Sequence, residues 1–434
     1  FERECSIQRR HQKVLEEAPS PALDEAVRTQ ICDAALEVAR AIGYVNAGTV
    51  EFIAGQPDAS GTLPFYFLEV NTRLQVEHPV TEEITGIDLV REQIRIAEGH
   101  PLSFDTPVRR GAAVEARLYA EDPDDGYLPQ SGDLIRWALS ASEGVRVDAG
   151  VESGSHVGIH YDPMLAKIIA YGADREEARR RLCGALRRLC AFGVRTNRAH
   201  LLRVLEHPSY IAGDLHTHFL TEHAATLMPA APDLDRALIA ATLAGHERRA
   251  EIARRGPLPA VPSGFRNNAW ARQEVRYGSG DDEVVVRYAH QHRTPGHFRI
   301  EVGGTDHDAE VRSFDGDEIR FVVDGRTLRA TVVVSGRTHH VLVGGEHTVL
   351  VEAPRYPSLE VETPAGACVA PMPGKVVTVD VEIGAQVTEG QRLVVMEAMK
   401  MEHTVLAPTA GKVQAVHVSV GDQVDAAQVL VVVE

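Results

Sequence analysis

The chain has 434 residues, room for roughly two to four domains, and its 44% hydrophobic content suits globular cores. A formal net charge of −17 with no offsetting basic stripe argues against a nucleic-acid partner. No stretch approaches the ~20 apolar residues that span a bilayer, so no membrane partner is expected.

Five scattered cysteines (Cys5, Cys32, Cys183, Cys190, Cys368) lack metal-type pair spacing. They fit free thiols in a reducing compartment: the cytoplasm or, in a eukaryote, the mitochondrial matrix. The sequence opens at Phe1 without an initiator methionine, as though inside a strand, so any targeting segment lies before it.

Residues 1–225 read as mixed α/β. Val27, Ile31, Val38 and Ile42 recur at helical spacing, which predicts a helix from Ala22 to Gly43. Gly48 to Ala54 and Pro64 to Val70 are β-branched and aromatic runs around a Gly/Pro/Asp/Ser turn, hence a hairpin. Glu82 to Gly99 reads as one helix, Ala112 to Ala120 and Met164 to Tyr171 as strands, and Asp174 to Phe192 as an amphipathic helix with a solvated arginine face. Asp233 to Arg254 is helical by period.

Alternating β pattern then runs through Glu283 to Arg287, Phe298 to Val302, Ile319 to Val323, Leu328 to Val334, His340 to Val343 and Thr348 to Val351. Residues 226–355 are thus a helix plus a β-rich docking domain. A Pro/Glu/Thr-rich linker, 356–366, leads to a last domain, 367–434.

That last domain repeats itself. Ala370-Pro-Met-Pro-Gly-Lys-Val376, Gly384, Val387 and Leu393-Val-Val395 are echoed by Ala407-Pro-Thr-Ala-Gly-Lys-Val413, Gly421, Val424 and Leu430-Val-Val432. Each half alternates apolar and polar residues with glycine turns, so two halves predict a flattened β-barrel. Lys400 falls in the hairpin that joins them, and only five lysines occur in the chain, so few other acylation sites compete.

The densest polar run is Glu69-Val-Asn71-Thr-Arg73-Leu-Gln75-Val76-Glu77-His-Pro79. On a strand Glu69 and Asn71 share a face, and Glu51 on the preceding strand can join them. Two carboxylates and an amide oxygen suit Mg²⁺ or Mn²⁺ shared with nucleotide phosphates. Arg73 offers a planar fork for an oxyanion, and Glu77 a carboxylate base. By spacing alone, a salt-bridged surface loop is the competing reading.

Ala398-Met399-Lys400-Met401-Glu402 resembles the signature around the biotinyl-lysine of biotin carboxyl carrier domains. A lipoyl domain shares that fold and lysine position, and the methionine flanks favour biotin. Residues 1–220 resemble the C-terminal half of a biotin carboxylase, an ATP-grasp ligase. The resemblance is carried by Glu4-Cys-Ser-Ile-Gln-Arg-Arg-His-Gln-Lys13, Glu51-Phe52, Glu69 to Glu82, Glu115-Ala-Arg-Leu118, Ala120-Glu-Asp-Pro123 and Tyr161-Asp-Pro-Met164. The domain order is similar to the biotin-containing α-subunit of acyl-CoA carboxylases of the 3-methylcrotonyl-, propionyl- or acetyl-CoA type. The fold class is therefore multidomain α+β. No metal-dependent barrel domain intervenes, which argues against a pyruvate carboxylase.

The resemblance implies roles by position. Glu51, Glu69 and Asn71 hold the metal on ATP. Gln8, His11 and Lys13 border the nucleotide, and Ile53 lines its adenine pocket. Arg73, Gln75 and Val76 bind bicarbonate, Glu77 deprotonates it, and Arg117 stabilises the enolate of biotin. Implied partners are a carboxyltransferase β-subunit that receives the acyl-CoA, a biotin protein ligase, and a hetero-oligomeric assembly. The family also places a nucleotide-fold domain and a glycine-rich lid ahead of the matching region, and no such loop occurs in this sequence. Two expectations stand side by side: ATP-dependent carboxylation of biotin, or a non-catalytic biotinylated carrier and docking chain.

Overall fold

Val114, Ala116 and Leu118 alternate with Glu115 and Arg117, and both sets are buried. A run that is buried on both faces belongs in the middle of a sheet, and the computed structural model places it there. Ala112–Tyr119 is an inner strand of a four-stranded antiparallel sheet ordered Val145–Ala149, Met164–Gly172, Ala112–Tyr119, Leu15–Ala18. The structure describes every residue except 10–11, 57–62, 141, 230–232, 258, 260, 262, 266–270, 280–281, 292–293, 295, 355–365 and 399–400. It divides into two units: Phe1–Val157 with Pro163–Ala353, and Gly158–Asp162 with Pro354–Glu434.

In the first unit, one face of this sheet packs Val114, Ala116 and Leu118 against Ala178, Leu182, Ala185 and Leu186 of the helix Arg175–Arg188. That contact is the main apolar core. On the other face Glu115 and Arg117 stand beside Glu16 and Lys167, their cross-strand neighbours. The helix His78–Thr85 covers this second face, burying Val80 and Ile84 against Ala18, Ala113 and Ile169. A polar row on an internal sheet face is costly unless its charges are paired, and this row underlies the site described below.

The single helix predicted over Glu82 to Gly99 is two helices, His78–Thr85 and Leu89–Ala97. Gly86 caps the first in the left-handed region at φ 70°, and Asp88 caps the second by accepting from the Arg91 backbone N–H at 2.8 Å. The helix predicted to Phe192 ends at Arg188, and Cys190–Phe192 is a strand paired with Arg136–Ala138. Three helices between Arg198 and Glu222 were not foreseen. The first predicted helix runs Glu25–Ala41, its N-terminus set by the Asp24 side chain on the Val27 N–H.

Gly193 sits at φ +113°, and a Cβ there would lie 1.9 Å from the Asp133 carbonyl oxygen. Gly193→Ala is therefore expected to destabilise this unit by about 2–4 kcal/mol. Urea unfolding followed by the fluorescence of Trp137, on the strand paired with Cys190–Phe192, measures the effect.

Residues Gln273 to Glu352 form a closed eight-stranded antiparallel barrel in which each strand pairs with the next and the last with the first. Six of these strands were predicted; Gln273–Ser279 and Thr305–Asp315 were not. The helix Leu234–Arg254 fills the interior, packing Leu238, Ala241 and Leu243 with Tyr288, Phe298, Ile300, Phe321 and Val341.

The carrier unit consists of two four-stranded sheets. One is ordered Ala367–Val369, Val429–Val433, Gly411–Val416, Gln386–Val387, the other Met401–Leu406, Arg392–Ala398, Gly374–Val379, Gln423–Val424. Each sheet takes strands from both repeats, so equivalent positions share one core: Val376 and Val413, Val387 and Val424, Leu393 and Leu430 are all buried in it. Among the described residues no helix is long and apolar enough to cross a membrane. All five cysteines are free thiols.

Candidate functional site

Strand pairing assembles the first cluster. Thr49–Ala54 pairs with Phe65–Asn71 so that Glu51 lies directly opposite Glu69. The Asn71 side-chain amide sits between them, 2.8 Å from Glu69 Oε1 and 3.1 Å from Glu51 Oε1. Two carboxylates and an amide thus converge at the hairpin. They supply part of an all-oxygen shell that phosphate oxygens and water can complete around a hard divalent cation.

The second cluster is built on Glu77, at the N-terminus of the helix His78–Thr85. Its two oxygens face two different cations. Lys13 Nζ donates to Oε1 at 2.5 Å, and Arg117 Nη2 donates to Oε2 at 3.1 Å. Lys13 also reaches Glu51 Oε1 at 3.1 Å, which links the two clusters. Burial pushes the Glu77 carboxyl up, but the Lys13 hydrogen bond and charge, with Arg3, outweigh it and hold the group below the usual carboxylate value. Glu77 is therefore anionic at neutral pH and held between two cations, either of which a bound anion can draw away.

Of the other residues singled out in the sequence, Gln75 is brought in. Its side chain donates to Glu51 Oε1 at 2.6 Å and accepts from Arg3 Nη2 at 2.7 Å. Val76 offers its carbonyl to Lys167 Nζ at 3.0 Å. Gln8 is the register partner of Lys13 in a short ladder. Ile53 is 46% exposed on the hairpin, beside an apolar band of Tyr66, Phe67 and Leu68. Arg73 stands apart: it is exposed, and its guanidinium donates to the adjacent Leu74 carbonyl. His11 and Lys400 lie outside the described residues. On either side of the latter, Ala398 and Met401 are register partners at the end of a hairpin.

Sequence reasoning missed the support beneath this cluster. Glu16 accepts from Arg117 Nε at 2.6 Å. Lys167 joins Asp148 at 3.3 Å while holding Val76. Arg9 is pinned by Glu121 and by the Tyr127 ring, 4.7 Å from its centroid. The available signal was weak: acidic or basic residues inside otherwise apolar strands.

Four family models match in order: the ATP-binding domain of carbamoyl-phosphate synthase L chain (residues 1–104), the biotin carboxylase C-terminal domain (115–222), the BT domain of the methylcrotonyl-CoA carboxylase alpha-subunit (234–355), and biotin-requiring enzyme (367–433). The chain is 38% identical to the mitochondrial methylcrotonoyl-CoA carboxylase subunit alpha of Dictyostelium discoideum, over 93% of this chain and 60% of that protein. It is 39% identical to the propionyl-CoA carboxylase alpha chain of Ruegeria pomeroyi, over 93% of this chain and 62% of the relative. Biotin carboxylase 2 of Bacillus subtilis is 49% identical over 51% of this chain and 49% of its own length. Among solved structures, the biotin carboxylase domain of Hydrogenobacter thermophilus 2-oxoglutarate carboxylase, a dimer in complex with MgADP and bicarbonate, superposes with TM-score 0.50 at 38% identity. That match covers 53% of this chain and 50% of the other. The chain thus spans about three-fifths of the length of the α-subunits it matches.

Proposed function

The chain belongs, over the length it spans, with the biotin-dependent α-subunits of the methylcrotonyl- and propionyl-CoA carboxylases, and on that premise we propose that it serves the ATP-dependent carboxylation of biotin by bicarbonate. The observation that carries this reading is the placement of Glu77 between Lys13 and Arg117, one cation on each oxygen. A bicarbonate ion entering there meets two cations and a base. Glu77 takes its proton, and Lys13 and Arg117 stabilise the oxyanion left behind. That oxyanion attacks the γ-phosphorus of ATP as ADP leaves, giving carboxyphosphate, which breaks down to CO₂ and phosphate.

Glu51, Glu69 and Asn71 would hold Mg²⁺ or Mn²⁺ on the phosphates. Gln75 and the Val76 backbone would orient bicarbonate, with Lys167 fixing the Val76 peptide. Arg73 would swing in from its exposed position to complete the anion site. Gln8, His11 and Ile53 would border the nucleotide. The metal supplies charge neutralisation on the phosphates, and biotin on Lys400 supplies the ureido nitrogen that accepts the carboxyl group. The hairpin end between Ala398 and Met401 fits a lysine that must carry a prosthetic group outward.

The division of labour follows: 1–225 for carboxylation, 226–355 as a docking domain, 356–366 as a linker and 367–434 as the carrier. A carboxyltransferase β-subunit would receive the carboxyl group for an acyl-CoA, in a hetero-oligomer. A biotin protein ligase would load Lys400. The free thiols suit the cytoplasm or a mitochondrial matrix.

Bicarbonate-dependent ADP release with free biotin, run beside a streptavidin gel shift, tests the reading. ADP release that rises with bicarbonate is expected in the assembled carboxylase. A gel shift without such release would leave only carrier and docking roles.

A further inference from the structure

Glu16 and Glu115 are direct cross-strand neighbours on the covered face of the central sheet. They are 1% and 0% exposed. Glu16 spends one oxygen, Oε1, on Arg117 Nε and Nη2, at 2.6 and 2.5 Å. Its other oxygen has no hydrogen-bond partner among the described residues, and neither has either oxygen of Glu115. Two ionised carboxylates cannot face each other in such a place without a donor between them. Buried polar atoms in folded proteins are almost always partnered, and adjacent carboxylates resolve the conflict by keeping a proton. A carboxylic acid on Glu115 would donate to Glu16 Oε2 and satisfy both orphaned groups at once.

We infer that Glu16 and Glu115 share one proton at neutral pH, forming an acid–carboxylate pair with a single negative charge that positions the Arg117 guanidinium against Glu77. The role for Arg117 rests on the function proposed above; the shared proton does not. The surrounding charges are consistent with it. Arg117 lies on the same strand, and Lys167 is on the next strand, already committed to Asp148 and the Val76 carbonyl. Glu77 and Lys13 lie above Arg117. From the covering helix, His78 and Glu82 face each other at 3.8 Å, and Arg146 takes Glu82 at 2.6 Å. Lys167 and Arg117 are the nearby cations, and among the described residues neither donates a hydrogen bond to Glu115.

Burial raises both carboxyls. Arg117 opposes that rise for Glu16, which reaches about 7. The nearby Glu16 charge reinforces it for Glu115, which stands well above the ordinary value. Because the two interact, the titration belongs to the pair. A second charge on the pair would draw Arg117 down and away from Glu77; the proton prevents it. Glu16 and Glu115 are thus positioning residues, acting through Arg117.

The test needs no turnover, so a catalytically silent chain does not obscure it. The chain labelled with ¹³C at glutamate side-chain carboxyls is titrated by NMR. Apart from Glu17, whose carboxyl burial also raises to about 7, one carboxyl is expected to remain protonated at pH 7, and its signal should vanish in Glu115→Gln, whose amide is a permanent donor. The folded state holds this proton more tightly than the unfolded one, so stability should fall as pH rises from the unfolded carboxyl range, about 4.5, through about 7. Glu115→Gln should flatten that fall in urea unfolding. If that variant does not fold, Glu16→Gln gives a second reading. Removing the neighbouring charge should lower the pH at which Glu115 titrates. A wild-type chain with no glutamate beyond Glu17 protonated at pH 7, a protonated signal other than that of Glu17 surviving in Glu115→Gln, or a Glu115 titration unmoved by Glu16→Gln would overturn the inference.

Discussion

Lys400→Arg is expected to abolish biotinylation completely, the largest all-or-none effect the chain offers. Ala398 and Met401 are register partners, so the strands Arg392–Ala398 and Met401–Leu406 converge at this point. The two repeats meet in the same interior, where Val376, Leu393, Val413 and Leu430 are buried together. That shared core holds the hairpin independently of the lysine. Arginine keeps the positive charge and most of the length but cannot form the stable amide that a biotin ligase makes, so the fold survives and the adduct does not. Co-expression with a biotin ligase, followed by intact mass and a streptavidin gel shift, should give one adduct on the wild-type chain and none on the variant. Lys375 and Lys412 occupy corresponding places in the two repeats, and Lys375 pairs with Glu397 beside that hairpin. An adduct surviving in Lys400→Arg would move the attachment site to one of them and sink the assignment.

How much of this was legible follows from where each signal resides. Glu51, Glu69 and Asn71 could be grouped because strand alternation and a hairpin register are local rules, and the Glu51–Glu69 pairing obeys them. The carrier unit could be read because a repeat states its own symmetry. Glu16, Lys167 and Arg3 could not. They reach Arg117, Val76 and Gln75 from segments far apart in the chain, and no periodicity reports such a meeting.

The helix predicted over Glu82 to Gly99 failed for a different reason. Period counts continue across Ile84 and Val90, but the left-handed turn at Gly86 breaks the rod. Cys190–Phe192 was absorbed into the preceding helix because its apolar residues extended the helical pattern. The barrel strand Thr305–Asp315 was missed because Asp306, His307, Asp308, Glu310 and Arg312 mask its inward-facing residues; of these Ala309 is buried. Arg73 shows the other limit. Its residue type marked it as an anion ligand, yet it is exposed and bonded only to its neighbour's carbonyl among the described contacts.

In the assembled carboxylase, Glu77→Gln is expected to lower bicarbonate-dependent ATP cleavage by about 10²–10⁴-fold, the usual worth of a positioned general base. The carboxylate accepts from Lys13 on one oxygen and from Arg117 on the other. An amide can satisfy only one of them and turns its NH₂ toward the second, so the variant loses the base and misplaces a cation. Neither cation is orphaned, since Lys13 keeps Glu51 at 3.1 Å and Arg117 keeps Glu16. The fold should therefore hold, as circular dichroism can check. Nucleotide affinity should change little, because Glu51, Glu69 and Asn71 are untouched, and calorimetry with ATP and Mg²⁺ measures that separately. Lys13 and Arg3 hold Glu77 below the ordinary carboxylate value against the effect of burial. The wild-type rate should thus stay insensitive to Glu77 protonation until the pH falls below about 4.5. Near-normal turnover in Glu77→Gln would make this glutamate a counter-ion for Lys13 and Arg117 and nothing more, and the proton of bicarbonate would need another acceptor.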